Sequence, residues 1–566
     1  MAAPLWRLSH RRWGRIAVPV GAAALFALPL LLALPLTLHE AGTKDAWRDL
    51  WADPQLPRAL LLSLSSGVLS TALACIATLF LLTQLHGTAL WSRLGAGLGP
   101  MLAVPHAAFA IGLAWLMAPA GWLARGLAPL AGWDTPPDIT TVNDPQGWAL
   151  ITVLVLKELP FLLWSALALF NRPEVALTLR REVALARTLG YSAQSWWWRV
   201  GWLQWAPRLA WPVLAVMAYG LTVVDLALLV GPGSPPTLAV LTWQGLSDSQ
   251  PARNAQGAAS ALLLTVLLAG LATLGWCLWR AGRGVWLRIA TRGDRRSRRS
   301  QATRATWAAL GLAIGLAIVY GAVCLSLLTL SFAGAWRFPA LLPELITFTH
   351  WEQVAASLDK VGFTAVLGLA ASASALVLAV AWLETAPTRW DESITPLVLM
   401  PLVVPQLLLM VGLYQGALWL HLDGTVWGLW WVHGVMLLPY VFTALAPAWR
   451  SFDVRYEWAA LAMGRSRWAY WWRVKWPLLA PPLASALAIG FAVSVAQYLS
   501  TQFIGAGRHT TLTTEAVTLA SGGQRSMSAA FALLQALLPA LGFAAAYGVG
   551  RRAARSITSP VTSSVT

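Results

Sequence analysis

Charge is scarce in this chain, and what little there is leans one way. Only 11% of the 566 residues are charged, with 23 Asp and Glu against 40 Lys and Arg, where soluble proteins average about 25%. Cysteine is almost absent: Cys75, Cys277 and Cys324 all lie inside apolar runs, with no Cys-x-x-Cys and no clustered His ligands. Neither a disulfide framework nor a zinc site is implied. The chain also lacks G-x-x-x-x-G-K-[ST], so it has no loop to cradle ATP phosphates. No set of catalytic residues stands out, which argues against an enzyme.

What fills the chain instead is apolar. Residues of that kind make up 58% and the mean hydropathy is +0.62, the composition of a protein that crosses a bilayer many times. The net charge of +17 does not point to nucleic acid, because the Arg residues sit between apolar runs rather than on one soluble face, the pattern of cytoplasmic loops. Apolar runs of about 20 residues, enough to span the hydrocarbon core, fall at about 16–38, 59–84, 95–118, 147–170, 207–230 and 257–279, and again at about 306–331, 356–383, 393–416, 425–448, 481–503 and 529–549. The expectation is therefore an all-α polytopic membrane protein of twelve transmembrane helices. Between the two sets, residues 280–304 hold nine Arg against one Asp, a cytoplasmic marker and a natural boundary. The reading is a first six-span unit at 1–279, a basic connector at 280–305 that touches anionic lipid, and a second unit at 306–566 with a short basic tail. Arg7, Arg11, Arg12 and Arg15 precede the first span and Arg551, Arg552 and Arg555 follow the last, so both termini are expected in the cytoplasm. The acidic loop 120–146, with Asp134, Asp138 and Asp144 against Arg125, is expected outside.

The two halves repeat one another. Residues 184–209 align without a gap with 458–483 at an offset of 274, and eleven of 26 positions are identical. These include Gly190/Gly464, Trp198/Trp472, Arg199/Arg473 and Pro207/Pro481. VPHAAFAIGL at 104–113 matches VPQLLLMVGL at 404–413 at offset 300, and GPGSPPTL at 231–238 matches GAGRHTTL at 505–512 at offset 274. With an even number of spans per half, the halves are parallel repeats and a path is expected between them. Each basic repeated segment reads as helix, turn, helix on the cytoplasmic face. The Gly permits the turn and a following Pro restarts the chain into the next span.

Here a resemblance becomes specific. The paired segments resemble the EAA loop (Glu-Ala-Ala, three residues, then Gly) of permease subunits from binding-protein-dependent ABC importers, in the fused form with two units in one chain. The resemblance implies a type I importer permease in the bacterial inner membrane, fed by a periplasmic substrate-binding protein and driven by a separate ATP-binding cassette ATPase dimer. The partner binds the ATP, and this chain binds no cofactor. The residues it marks for coupling are Glu182, Ala186, Arg187, Gly190, Trp198, Arg199 and Pro207 in the first copy. In the second they are Glu457, Ala459, Ala460, Gly464, Trp472, Arg473 and Pro477. The family's Glu position holds Ala184 and Trp458 here, with Glu182 and Glu457 two and one residues upstream. A secondary transporter with two six-span repeats is the alternative reading, distinguished by intramembrane ion sites instead of paired cytosolic loops.

Ionisable residues inside the spans usually face the bundle interior and find partners. His106, Lys157, Glu158 and Asp225 are such residues in the first half, where the second has Gln406, Met436, Leu437 and Leu499. Two readings stand open. Lys157 and Asp225 form a structural ion pair, or His106, Lys157, Glu158 and Asp225 line one wall of the path, with Gln406, Gln497 and Tyr498 opposite. The solute is not legible.

Overall fold

A computed structural model describes residues 20, 21, 24, 28–291 and 299–558. Its named elements are all helices, and among the described residues the one β-contact is an isolated bridge between Ala333 and Ile346. Nine described helices are long and apolar enough to cross a membrane, ten if one sharply bent pair counts as a single span. Among the described residues the expected twelve spans are not all found as single helices, on three counts.

First, the expected span at 16–38 lies largely outside the described residues, leaving α1 (Leu28–Glu40). Second, the expected spans at 95–118 and 393–416 are each two helices. α3 (Ala89–Ala103) and α4 (His106–Met117) meet at Val104-Pro105, and α14 (Asp391–Val403) and α15 (Gln406–Trp419) at Val404-Pro405. The proline ring drives the residue before it out of helical geometry: Val104 has ψ 118° and Val404 ψ 135°, and the second pair bends by 103°. Third, 207–230 and 481–503 also break. The first divides into α8 (Ala210–Thr222) and α9 (Asp225–Val230), the second into α18 (Trp476–Ala496) and α19 (Leu499–Gly505). No proline marks these breaks. They fall at Val223-Val224 and Gln497-Tyr498, 274 residues apart.

The remaining helices recur in the same order in both halves. α2 (Leu56–Leu85) answers to α13 (Leu358–Thr385), and α6 (Trp148–Phe170) to α16 (Val426–Arg450). α10 (Leu238–Leu246) answers to α20 (Leu512–Ser521), and α11 (Pro251–Thr291) to α21 (Arg525–Thr558). α5 (Trp122–Ala131) is a short helix in the acidic loop. Within the connector, 280–291 continue α11 and 299–305 open α12 (Arg299–Ser331).

Each half lends its first helix to the other. α1 packs on α15, where a side chain at Gly412 would sit 2.1 Å from the Ala33 backbone, and Thr37 Oγ1 donates to the Leu408 carbonyl at 3.0 Å. α12 packs on α4 in the same way: a side chain at Gly112 would meet Val323 at 2.8 Å, and Ser326 Oγ donates to the Gly112 carbonyl at 3.0 Å. Close approach of small residues with a hydroxyl bridge is how helices associate where lipid removes the hydrophobic drive. The swap locks the halves together and brings both pairs of broken helices to the middle. α11 and α12 lie outermost, with Val266, Trp276, Ile314 and Ile318 exposed as expected of surface that meets acyl chains.

Candidate functional site

The two basic loops share one backbone design. α7 (Pro173–Thr188) opens on a proline with Glu174 in its first turn and closes with Arg187 in its last, each suited to the helix dipole there. Gly190 then adopts φ +85°. Its N–H donates to the Arg187 carbonyl at 3.0 Å, and that of Tyr191 reaches back to Ala186 at 2.9 Å. In the second copy α17 (Arg455–Ala462) ends at Gly464, φ +73°, with Gly464 N–H to Leu461 at 3.0 Å and Arg465 N–H to Ala460 at 3.0 Å. Both are Schellman closures, which satisfy the last carbonyls of a helix through a left-handed residue. Ala186 and Ala460 are buried and supply the far carbonyl. The next helix is capped each time by a serine: Ser192 Oγ accepts from Ser195 N–H at 3.1 Å and Ser466 Oγ from Ala469 N–H at 3.2 Å. Sequence reasoning passed over these two serines, although they are identical in both copies two residues after the Gly. Each short helix runs into one π-turn, Trp197–Gly201 and Trp471–Lys475.

The other expected coupling residues divide into exposed and braced. Trp198, Trp472, Arg187, Ala459 and Arg473 face outward. Arg199 is half-buried, with Nη1 to the Ala290 carbonyl at 3.4 Å and its guanidinium over Tyr191, while Trp286 Nε1 donates to the Trp198 carbonyl at 2.9 Å. The tail of α11 thus braces the first loop. Glu182 turns inward, accepting from Gln204 Nε2 at 3.0 Å, and Glu457 pairs with Arg467 at 3.3 Å. Pro207 lies in a single 3-10 turn, Ala206–Leu209, just before α8. Its counterpart Pro481 does not start a span but lies inside α18, and Pro477 takes the starting position.

The loops are fastened to the spans differently. Behind the first, His86 sits edge-on to Trp91, Phe170 and Trp197, with ring centroids 5.2–5.6 Å apart. Behind the second, Lys475 Nζ lies 4.6 Å from the Trp449 ring and 5.4 Å from that of Trp471, and pairs with Glu384. Position 84, at offset 300 from Glu384, is Gln. A cation between the rings therefore has a counter-ion in the second half and none from that position in the first. Burial accordingly pushes His86 from its ordinary value near 6.5 down to about 4. The sign follows: between those values the unfolded chain takes up a proton that the folded chain refuses. The stability held above about pH 6.5 is lost on acidification, by at most about 1.4 kcal/mol per pH unit. Amide protection factors at 193–205, corrected for the intrinsic pH dependence of exchange, should fall from pH 7 to 5 more than those at 467–479, and His86→Phe should remove the difference. Equal acid sensitivity of the two loops would contradict the assignment.

Among the apolar helices, two of the four expected ionisable residues of the first half meet. His106 opens α4, and its Nε2 lies 3.6 Å from Glu158 Oε1 on α6. Asp225 opens α9, just after the break. The Tyr219 ring packs on His106 at 5.0 Å. Lys157 points elsewhere. Its Nζ donates to the Val104 carbonyl at 2.7 Å and to Met101 at 3.4 Å, capping the end of α3 where proline leaves carbonyls unpaired. The expected Lys157–Asp225 ion pair is absent among the described residues. In the second half Gln406 opens α15, half-buried. Gln497 is buried, its Nε2 3.5 Å from the His433 carbonyl. His433 itself bonds Ser494 at 2.8 Å and Thr501 at 3.1 Å, and Tyr498 is buried at the break. The helix breaks of both halves are therefore where the polar side chains collect, irregular backbone inside a membrane being tolerated where it is buried in protein or lines a cavity.

Residues 384–555 match the profile of the binding-protein-dependent transport system inner membrane component. The inner membrane ABC transporter permease protein YnjC of Escherichia coli (strain K12) is 37% identical over 548 residues, covering 96% of this chain and 97% of that one. The chain belongs to the family of ABC transporter permeases. More local similarity extends to the molybdenum transport system permease proteins ModB of Haemophilus influenzae (29% identical; 22% of this chain, 61% of that one) and Mycobacterium tuberculosis (29%; 20% and 47%). The permease is thus a multi-pass inner membrane protein that transports and is not itself an enzyme, ATP hydrolysis residing in a separate subunit. Membership decides against the secondary transporter. It also implies, in general terms, an ATPase and a binding protein as partners.

Proposed function

We propose that this chain supplies the entire transmembrane pathway of an importer, with two six-span units in one polypeptide. The units are 1–279 and 306–566, joined by the connector 280–305, with twelve crossings when each broken helix counts once and both termini in the cytoplasm. The observation that carries this reading is the pair of left-handed Gly turns, each followed by an outward-facing Trp, Trp198 and Trp472, with Arg473 also exposed in the second copy. Two like elements at related positions suit a dimeric ATP-binding cassette ATPase, which binds the ATP while this chain binds no cofactor. A periplasmic binding protein delivers a small solute to the opposite face. The solute then crosses where the helix breaks of the two halves meet, with His106, Glu158 and Asp225 on one side and Gln406, Gln497 and Tyr498 on the other. Lys157 holds the α3–α4 break open from behind.

Affinity-tagged chain extracted from membranes should carry an ABC ATPase with it. Replacing Trp472 by Ala and Arg473 by Glu together should release that ATPase while leaving the permease inserted, and its retention by the double variant would count against the loops as docking sites. Orientation is read separately, in a chain whose three Cys are replaced by Ala. Thr135→Cys should react with a membrane-impermeant thiol reagent in spheroplasts and Ser300→Cys only after lysis. The reverse pattern would invert the topology.

A further inference from the structure

At the end of α2 remote from the basic loops, the first half holds a polar cavity of about 210 Å³. α2 runs 30 residues, roughly 45 Å, from Leu56 beside this cavity to Leu85, next to the His86 that packs on the first basic loop. The cavity lies where α10 ends and α11 begins, and two glycines let those helices touch. A side chain at Gly257 would sit 2.7 Å from the Leu246 backbone nitrogen, and one at Gly245 3.2 Å from the Gly257 Cα. The most deeply buried side chain of the lining is Ser260, 2% exposed, whose hydroxyl makes no hydrogen bond among the described residues. Gln256, also buried, stands between opposite charges: its Nε2 donates to Asp53 Oδ2 at 3.2 Å and its Oε1 accepts from Arg253 Nη1 at 3.1 Å. Asp248 lines the cavity too, with its Oδ1 taken by the Gln250 N–H at 2.9 Å. Neither aspartate nor Arg253 forms an ion pair with any described residue. At offset 274 the second half has Gly522, Met527, Ala530 and Leu534 in place of Asp248, Arg253, Gln256 and Ser260, and a fully buried Phe531 in place of Gly257. The cavity therefore belongs to the first half.

We propose that this cavity binds an ethanolamine phosphate group, the headgroup of phosphatidylethanolamine, with its ammonium on Asp53 and Asp248 and its phosphate on Arg253. Charges of both signs border one cavity and are held apart by an amide, so a ligand that carries both satisfies them together. The guanidinium fork suits phosphate oxygens, and the ammonium has protons for the carboxylates and the unpaired Ser260 hydroxyl. Depth selects the lipid. Asp53 lies just before α2, Asp248 just after α10, and Arg253 one turn before Gly257, where the apolar run of α11 begins. That is the level of the headgroups, and farther along the same helix Val266 and Trp276 are exposed to the acyl chains. The volume also falls below the roughly 300–1,000 Å³ of pockets that enclose a whole drug-sized molecule, which suits a group presented from the bilayer. The site shares no residue with the helix breaks, so the proposal stands apart from the solute path.

The test uses the purified full chain. In detergent, with lipid removed, thermal unfolding is followed by tryptophan fluorescence while soluble headgroup analogues are added. Glycerophosphoethanolamine should raise the midpoint saturably. Glycerophosphoglycerol, which lacks the ammonium, and β-alanine, which carries a carboxylate in place of the phosphate, should not. Arg253→Gln and Asp248→Asn, both at exposed positions, should each weaken the response at least tenfold and leave the midpoint of the unliganded chain in place. Ser260→Leu, which matches the second half, should abolish the response. In nanodiscs of equal anionic content, phosphatidylethanolamine should raise the midpoint over phosphatidylcholine, whose methylated ammonium has no N–H to donate, and Arg253→Gln should remove the difference. A lipid effect that survives Arg253→Gln would come from the bilayer as a whole and overturn the site. So would an analogue response unchanged in both exposed variants, equal binding of glycerophosphoglycerol or β-alanine, or no response at all. Free ethanolamine phosphate separates the two sources of the group: binding tighter than that of glycerophosphoethanolamine, with no difference between the two bilayers, would overturn the lipid assignment in favour of a soluble ligand.

Discussion

Replacing Gly464 by Val is expected to abolish coupling while leaving the chain in the membrane. The residue adopts φ +73° and its counterpart Gly190 φ +85°, a region where a side chain with Cβ costs about 1–2 kcal/mol and a β-branched one more. Nothing lies within 4 Å of where that Cβ would project at either site, so the damage comes through the backbone alone. Relaxing it breaks the Schellman closure, frees the carbonyls of Ala460 and Leu461, and swings the Trp472-Arg473 face away from its partner. Transport and substrate-stimulated ATP hydrolysis in the reconstituted complex should each fall tenfold or more in Gly464→Val, and similarly in Gly190→Val. Gly464→Asn should retain most of both, because Asn tolerates the left-handed region. Loss in the Asn variant equal to that in the Val variant would mean that the open surface around the Gly, and not its backbone, is what the partner reads.

How far this turn was legible shows where sequence reasoning reaches and where it stops. Gly190 and Gly464 were found because duplication prints the same residue at the same spacing, and a Gly after a helical run has one common structural use. The Pro-marked breaks at 105 and 405 carried an equally plain local signal, but an apolar count over 20 residues averages it away. The breaks at 223–224 and 497–498 had no such signal. Val-Val and Gln-Tyr are sequences that helices accept, and the chain departs from helix there because tertiary packing holds it so. For Lys157 one of the two open readings was an ion pair with Asp225, whereas its described contacts are the carbonyls of Val104 and Met101. Charge complementarity suggested Asp225, whereas the nearer need was the set of carbonyls stranded by Pro105, visible only once the kink exists. The exchange of first helices between halves leaves no trace in the sequence beyond Gly112 and Gly412 at offset 300, whose meaning depends on knowing which helix crosses them.

The largest loss of stability is expected at Arg450. Its guanidinium donates from Nε and Nη2 to the two Asp391 oxygens, both at 2.7 Å, and from Nη1 to the carbonyls of Leu383 at 2.9 Å and Ala386 at 3.2 Å. It thereby ties the end of α16 to the α13–α14 turn. Trp449, its neighbour in the chain, donates to Glu384, which also takes Lys475 from the second basic loop. Two helix-end carbonyls thus depend on one planar fork, and so in part does the half-buried Asp391 carboxylate, which also accepts from Trp382 Nε1 at 2.9 Å. Arg450→Met should cost about 1–3 kcal/mol, since it leaves two helix-end carbonyls and one side of a part-buried carboxylate unpaired. Arg450→Lys should recover little of it, because an ammonium cannot reach four acceptors in that fixed geometry. Adding Asp391→Leu to Arg450→Met should restore part, the orphaned carbonyls remaining. At offset 279 the first half has Asn171, the residue that ends α6. Asn171→Ala should change stability by less than about 0.5 kcal/mol, the usual range for a surface change. Unfolding midpoints of the four variants in nanodiscs decide it. A small effect of Arg450→Met would show that the second loop does not depend on this anchor, and the two loops would then be held with equal stiffness in spite of their different chemistry.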